Sequence, residues 1–452
     1  MNVIEVNTLI HLKRILAFFA VLSLFVCGLL FFDFILVDDA DSYTRLMEHE
    51  LYNQDDIDIL FAGASHCFRS IDPEIIERET GKKAFDACSS NQYPDGSLAL
   101  IKEAINLYDI EEIYLEISEI VAEEMGIIKD RTEMKATYII SDYMRPSLNK
   151  LSYLLNASSP EYYIYSFWRA RRQETRLLDF GRIASIIEKK STDKYRSYSY
   201  YYANYGYSDS ITYEGKGFVA QKKFVPENGF FSKDGDKPVN VDNISEDWKN
   251  MILSIIDLCN KKNIKLTIFA APVSNFLLTS RGNYDEYIEF IKDFLENKNV
   301  SYADFNLIKD DVFPYKQTYY SDSNHLSENG AAAFSMLLSD YIKGNITEDD
   351  FSISIEEKLA SLQPYYYGIR YADNTEEGMR SIYLVDSRKN DFEYKIELGN
   401  DNEKTSLLQD FDTNTNIQIP LNQSKGKNRL LYVTYREKGS GANGLRVEYL
   451  MP

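Results

Sequence analysis

The chain opens on its longest apolar stretch. Residues 15–32 run for 18 positions without a charge, and after Asp33 the apolar pattern resumes through "FILV" to Val37. A helix of this length crosses the hydrocarbon core of a bilayer, ~30 Å thick. Lys13 and Arg14 stand just before the run, and Asp38, Asp39 and Asp41 follow it. The positive-inside rule therefore puts the N-terminal tail in the cytoplasm and the rest of the chain outside. A cleaved signal peptide has a shorter apolar region, about 7–15 residues, ending in small residues at the cleavage site. "FILVDDADS" fits that poorly, and Cys27 follows Val26 where a lipoprotein signal needs a small residue. The expectation is an uncleaved, single-pass anchor within residues 1–40.

Beyond the anchor, five short runs rich in β-branched and aromatic residues alternate with helical patterns: "IDILFAG" (57–63), "KAFDAC" (83–88), "EIYLEIS" (112–118), "IKLTIFAAP" (264–272) and "SYADFN" (301–306). Such runs separated by helices predict a parallel sheet built from βαβ units, hence an α/β fold in three layers, α/β/α. Asp72 can cap a helix with Pro73 at its first position and Gly81 just past its end. "SLALIKEAINLY" and "SEDWKNMILSIIDLCNKK" carry apolar residues at three-to-four spacing.

The alternation breaks between the third and fourth runs. "EYYIYSFWRARRQETRLLDFGRIASIIEKK" reads as helical and "YRSYSYYYANYGYSDSITY" as loop-like. A compact domain does not need so long a detour, so residues of about 120–245 are expected to form a cap inserted over the strand ends of a domain spanning 41–345. After the helix "SENGAAAFSMLLSDYIKG" and an acidic linker, the pattern changes to short alternating strands from about 363, predicting a small C-terminal β-sandwich within 350–452.

A net charge of −20 argues against nucleic acid and anionic lipid as general partners, since both are bound mainly through Lys and Arg; local basic patches stay compatible with it. Only four cysteines occur, one of them in the membrane run, which is not a disulfide scaffold. Cys67 and Cys88 follow neighbouring strands if the sheet order is flavodoxin-like, and a pairing between them stays open. No His/Cys cluster has metal-ligand spacing, so neither a metal nor another cofactor is expected.

Open α/β sheets place ligand sites at the carboxyl ends of their strands. The first strand ends at Gly63-Ala64-Ser65-His66, where small residues allow a sharp turn that leaves Ser65 at a helix start. A nucleophilic serine needs a base, usually histidine. His11 is on the cytoplasmic side, His49 sits in a polar segment, and His66 neighbours Ser65 in sequence and so points elsewhere. His325 remains, in "YYSDSNHLSENGAAAF", with Asp322 three residues earlier. That spacing can put a carboxylate against one imidazole nitrogen and leave the other free to accept a serine proton. The competing reading is a turn-capping Asp322 beside an ordinary surface histidine. Arg169, Arg172 and Arg176 fall on one face of the expected helix and could receive an anionic glycan or phosphate. The tyrosines between Tyr195 and Tyr207 could stack on sugar rings.

Gly-x-Ser after the first strand, with Asp-x-x-His-Leu near the end of the domain, resembles the SGNH/GDSL hydrolase superfamily over roughly 55–120 and 245–345. The resemblance implies Ser65 as nucleophile, His325 as base and Asp322 as its orienter. The family's second block aligns loosely with "ACSSNQYPDG", placing Ser89 or Ser90 at the oxyanion-donor position. Its third block, Gly-x-Asn-Asp, is missing, because "YLEISEIV" stands there; Asn91 and the backbone N–H of Ser65 are the expected substitutes. Membrane-anchored envelope relatives, including the DltD family of teichoic-acid D-alanylation, also depart from that block. The implied activity is ester hydrolysis or O-acyl transfer on a cell-envelope glycopolymer, with a membrane O-acyltransferase as a further partner. The alternatives are DltD-like D-alanyl transfer to teichoic acid and an SGNH-shaped protein that binds glycan or acts as a scaffold without catalysis.

Overall fold

The computed structural model describes residues 3–132, 134–199, 210–226, 229–233, 238–388, 391–400, 405–424 and 429–451. A helix, Val3–Leu36, carries the apolar stretch, and from His11 to Leu36 its 26 residues are long and apolar enough to cross a membrane. Leu16, Phe18, Phe25 and Phe31 are exposed along it. Its far end is fastened down. The Ala170 N–H donates to Asp33 Oδ1 at 2.7 Å, and Arg182 Nη1 donates to the Leu36 carbonyl at 2.9 Å.

In chain order, β1 (Ile59–Ala62), β2 (Ala84–Asp86) and β3 (Glu112–Glu116) precede an insertion that carries β4 (Ile211–Gly215), β5 (Phe218–Gln221) and β6 (Phe230–Lys233). The strands β7 (Lys265–Ala270) and β8 (Ser301–Asp304) follow. Five of these form one parallel sheet in the order β2-β1-β3-β7-β8, the flavodoxin-like order, and each coincides with one of the five apolar runs. The strands are buried on both faces except at the sheet's edges, which is why they read as apolar runs and not as alternation. Helices Pro94–Leu107, Glu246–Lys262 and Tyr284–Leu295 cover one face, the last two joined through Trp248, whose ring packs at a tilt against Phe290 and Phe294. Helices Pro73–Thr80 and Glu328–Ile342 pack together on the other. Asp72 caps its helix by accepting the Glu74 N–H at 2.9 Å, and Gly81 ends it at φ 75°.

The insertion differs from the single long helix its pattern predicts. Residues 163–190 divide into a helix at Tyr163–Phe167, a 3₁₀ segment at Arg169–Arg176 kinked at Gln173, and a helix at Phe180–Lys190. The β4–β5 hairpin lays its turn on β2, where the Asp86 N–H donates to the Lys216 carbonyl at 2.9 Å. The contact is close enough that a Cβ on Gly217, at φ 91°, would fall 1.8 Å from the Asp86 carbonyl oxygen. Glycine is therefore required there.

Seven further strands complete the chain: β9 (Tyr366–Asn374), β10 (Met379–Asp386), β11 (Phe392–Asn400), β12 (Ser406–Asp412), β13 (Asn416–Pro420), β14 (Arg429–Glu437) and β15 (Leu445–Leu450). They build two sheets, β13-β10-β9-β6 and β12-β11-β14-β15. Ile369, Ile382 and Ile419 from the first share a core with Tyr394, Leu431 and Val433 from the second, which makes a sandwich. One edge strand comes from outside the C-terminal region: β6, from the insertion, pairs in parallel with β9.

Candidate active site

Ser65 is the first residue of a one-turn helix, Ser65–Phe68, reached directly from β1 through Gly63 and Ala64. The turn is tight because β3 presses against it. A Cβ on Gly63 would lie 2.7 Å from Glu116 Cβ and 2.9 Å from Glu116 Oε2. Glu116, the last residue of β3, is buried and its Oε2 accepts the Ala64 N–H at 3.2 Å. Burial pushes its carboxyl up to about 8; the Ala64 N–H opposes that and the charge of Glu119 adds to it. Glu116 is thus a neutral carboxylic acid over much of the physiological range, fixed beneath the turn.

His325 sits on the loop between the 3₁₀ turn Gln317–Tyr319 and the helix Glu328–Ile342. A bridge between Tyr320 and Leu326 closes the loop, and Ser274, in the loop after β7, donates its hydroxyl to the Ser323 carbonyl at 2.8 Å. The strand ends of β1 and β7 therefore hold the two halves of the site. His325 Nε2 lies 2.9 Å from Ser65 Oγ, and its Nδ1 lies 3.0 Å from each oxygen of Asp322. With the proton on Nδ1 directed at Asp322, Nε2 is the acceptor for the Ser65 hydroxyl. Asp322 Oδ1 also accepts the backbone N–H of Asn324 and of His325, at 2.8 and 2.9 Å. Capping the turn and orienting the ring are both met by this one carboxylate. Its side chain is half-exposed, so the partial loss of water that would raise its pKa is outweighed by the bond and charge of His325 and the two backbone N–H groups, which hold it down at about 2.

His66 packs its ring 5.1 Å from that of His325 and turns Nδ1 toward Glu116 Oε1, 3.8 Å away. Burial, then the proximity of His325, lowers its pKa to about 3, so it stays neutral. Its Nε2 is buried with no hydrogen-bond partner among the described residues.

Two of the residues expected to bind an oxyanion have partners elsewhere. Ser89 is buried with its hydroxyl 2.7 Å from Thr44 Oγ1, and Ser90 donates its N–H to the Tyr43 hydroxyl at 3.0 Å while its own hydroxyl also meets that oxygen. Both are engaged with the segment just past the apolar N-terminal helix. Asn91 is exposed in the left-handed region, at φ 50°. The Ser65 N–H, at the open end of its helix, makes no hydrogen bond among the described residues.

The arginines differ from expectation. They lie on the kinked 3₁₀ segment and not along an α-helical face. Arg169 pairs with Asp39 at 2.7 Å and Asp142 at 3.2 Å, and Arg172 pairs with Asp142 at 2.6 Å. These contacts neutralise both guanidinium groups internally and tie the insertion to the end of the apolar N-terminal helix; Arg176 alone of the three has no carboxylate partner among the described residues. Tyr195 and Tyr198 sandwich the Arg45 guanidinium at 3.8 and 3.9 Å, and Tyr198 stacks on His49, so these two tyrosines pack on their own chain. The rest of the tyrosine tract, 200–209, lies outside the described residues. Cys67 and Cys88 are buried as free thiols with Asp86 between them, one potential ligand atom from each lying within 4.8 Å of the others. Burial raises all three, Cys67 to about 12, so they sit there as neutral groups.

No family model matches the chain, and no curated protein matches it. Among solved structures it is similar to one from Streptococcus pneumonia provisionally assigned as a platelet activating factor, at 12% identity and a TM-score of 0.31, over 72% of this chain and 98% of that one. A likeness at that level carries no functional argument.

Proposed function

We propose that the protein is a membrane-anchored serine esterase or O-acyltransferase of SGNH type, acting outside the cell on acyl groups of an envelope glycopolymer. The observation that carries this reading is the continuous chain Ser65 Oγ, His325 Nε2, His325 Nδ1, Asp322, with links of 2.9 and 3.0 Å closed between residues 260 apart in sequence. In the reaction, Ser65 Oγ attacks the acyl carbonyl carbon and its proton passes to His325 Nε2. The imidazolium, held by Asp322, returns that proton to the departing alcohol and leaves an acyl-Ser65 ester. A second hydroxyl, from a sugar or from water, then attacks the ester, with His325 taking its proton and Ser65 recovering it. The unengaged Ser65 N–H at the helix start is the oxyanion donor in this scheme.

A membrane O-acyltransferase that delivers the acyl group fits an anchored enzyme of this kind, and rests on the family resemblance. The rival reading, a glycan-binding protein with the same shape, draws on Glu116-Ile117-Ser118 standing where the family carries an asparagine donor. Turnover of p-nitrophenyl acetate by the full chain separates the two. The enzyme reading expects measurable hydrolysis that falls to background in Ser65→Ala and His325→Ala. Equal rates in all three proteins would remove its support.

A further inference from the structure

A cavity of about 680 Å³ opens between the nucleophile helix, the insertion and the exit of the membrane helix, and three arginines line it: Arg69, Arg176 and Arg182. None of the three has a carboxylate partner among the described residues. Arg182 spends its hydrogen bonds on neutral acceptors, the Leu36 carbonyl at 2.9 Å and Gln173 Oε1 at 3.2 Å. Arg69 is half-buried, and its Nε is enclosed with no acceptor among the described residues. The acidic residues on the rim, Asp38 and Asp41, are already held by Lys189 at 3.3 and 3.1 Å. An arginine kept partly out of water without a counter-charge is costly, and a bound anion removes the cost.

The position of the cavity narrows the anion. Its rim residues Asp38 and Asp41 lie two and five positions past Leu36, the last residue of the apolar helix, so its mouth lies at the depth of lipid headgroups when that helix spans a bilayer. Its inner wall is tied to the chemistry, because the Arg69 N–H donates to the Ser65 carbonyl at 3.2 Å, one helical turn from the nucleophile. Several guanidinium forks converging on one space suit a phosphate, which offers multiple oxygens to bidentate donors.

We infer that this cavity binds a phosphate group at the membrane surface and that the substrate of Ser65 is phosphate-bearing. The second clause rests on the reading of Ser65 as nucleophile; the binding site does not. The phosphate can belong to a lipid headgroup or to a water-soluble or polymeric phosphoester.

The test is equilibrium binding to the full chain in maltoside micelles, which contain no phosphate. The probes are sn-glycerol 3-phosphate, dioctanoyl phosphatidylglycerol, and dioctanoylglycerol as the phosphate-free control. At least one phosphate probe is expected to bind, more weakly as salt rises, with affinity falling about tenfold or more in Arg69→Gln and in Arg176→Gln. Arg176 is exposed, so its variant tests the site even if Arg69→Gln fails to fold. Lys262→Gln, on an exposed helix end, is expected to bind as wild type. Binding of both phosphate probes assigns a phosphoester of either source, and binding of the lipid alone assigns a headgroup. Absence of binding by both phosphate probes, equal binding of the phosphate-free control, or wild-type affinity in Arg176→Gln would overturn the inference. Because binding is read without turnover, it can survive failure of the esterase reading, and the reverse also holds.

Discussion

Glu116 Oε2, at the end of β3, accepts the Ala64 N–H at 3.2 Å and so braces from below the turn that presents Ser65 at the end of β1. Burial holds this carboxyl at about 8, against its ordinary 4.5, so the folded protein keeps a proton that the unfolded chain releases between those values. Stability from this group is therefore full below 4.5 and is lost as pH rises through about 8. Glu116→Gln keeps an acceptor for Ala64 and removes the titration. Its melting temperature is expected to fall less than that of wild type across this window; parallel curves would show that Glu116 ionises normally.

Gly63→Ala tests the same contact sterically. The added methyl meets Glu116 Cβ at 2.7 Å and has no room to move without shifting β1 against β3. A loss of about 1–3 kcal/mol in unfolding free energy is expected, together with reduced esterase turnover as Ser65 leaves its position. Unchanged stability by chemical denaturation would contradict the close packing.

The ion pairs of Arg169 with Asp39 and Asp142 predict a structural effect of its loss, which can be set against the substrate-binding role its sequence suggests. Arg169→Ala leaves the buried Asp39 with Lys190, at 2.8 Å, as its one cationic partner among the described residues, beside the Tyr195 hydroxyl at 3.2 Å, and is expected to cost about 3 kcal/mol, the low end for breaking a buried pair. KM for p-nitrophenyl acetate should not move. A raised KM at unchanged melting temperature would return Arg169 to the substrate.

His325 and Asp322 should separate in degree. His325→Ala removes the proton acceptor and is expected to lower kcat for ester hydrolysis by about 10²–10⁴. Asp322→Asn keeps the turn's acceptor oxygen but removes the charge that steadies the imidazolium, so it should lower kcat with little change in KM. A variant of either residue with wild-type kcat would remove it from the reaction.

Much of this arrangement is legible in the sequence because it depends on local pattern. The five parallel strands are buried on both faces, so each stands out as an apolar run, and Asp72, Pro73 and Gly81 mark their helix by capping chemistry alone. The proximity of Ser65 to His325 can be inferred from the loops at the strand ends, since an α/β sheet gathers those ends on one side. Burial is harder to read. Glu116 is a lone carboxylate inside "IYLEIS", a signal of an enclosed charge, yet only packing shows that it braces Gly63 and Ala64. The insertion misleads because its residues have good helix propensity, and the ion pairs of Arg169 and Arg172 to Asp39 and Asp142 hold a kinked 3₁₀ segment in its place. The strand β12 escapes notice because its side chains are mostly exposed or half-exposed, leaving no clean alternation. Arg69 is far in sequence from Arg176 and Arg182, and only the fold brings the three to one cavity beside the end of the apolar helix.

The most direct measurement is covalent capture of the nucleophile. The full chain is treated with a serine-directed fluorophosphonate and the modified residue is located by peptide mass spectrometry. Labelling is expected at Ser65, absent in Ser65→Ala and slowed at least about 10²-fold in His325→Ala, because Oγ reacts only when Nε2, 2.9 Å away, takes its proton. No adduct at Ser65, or an equal rate of labelling in His325→Ala, would contradict the account.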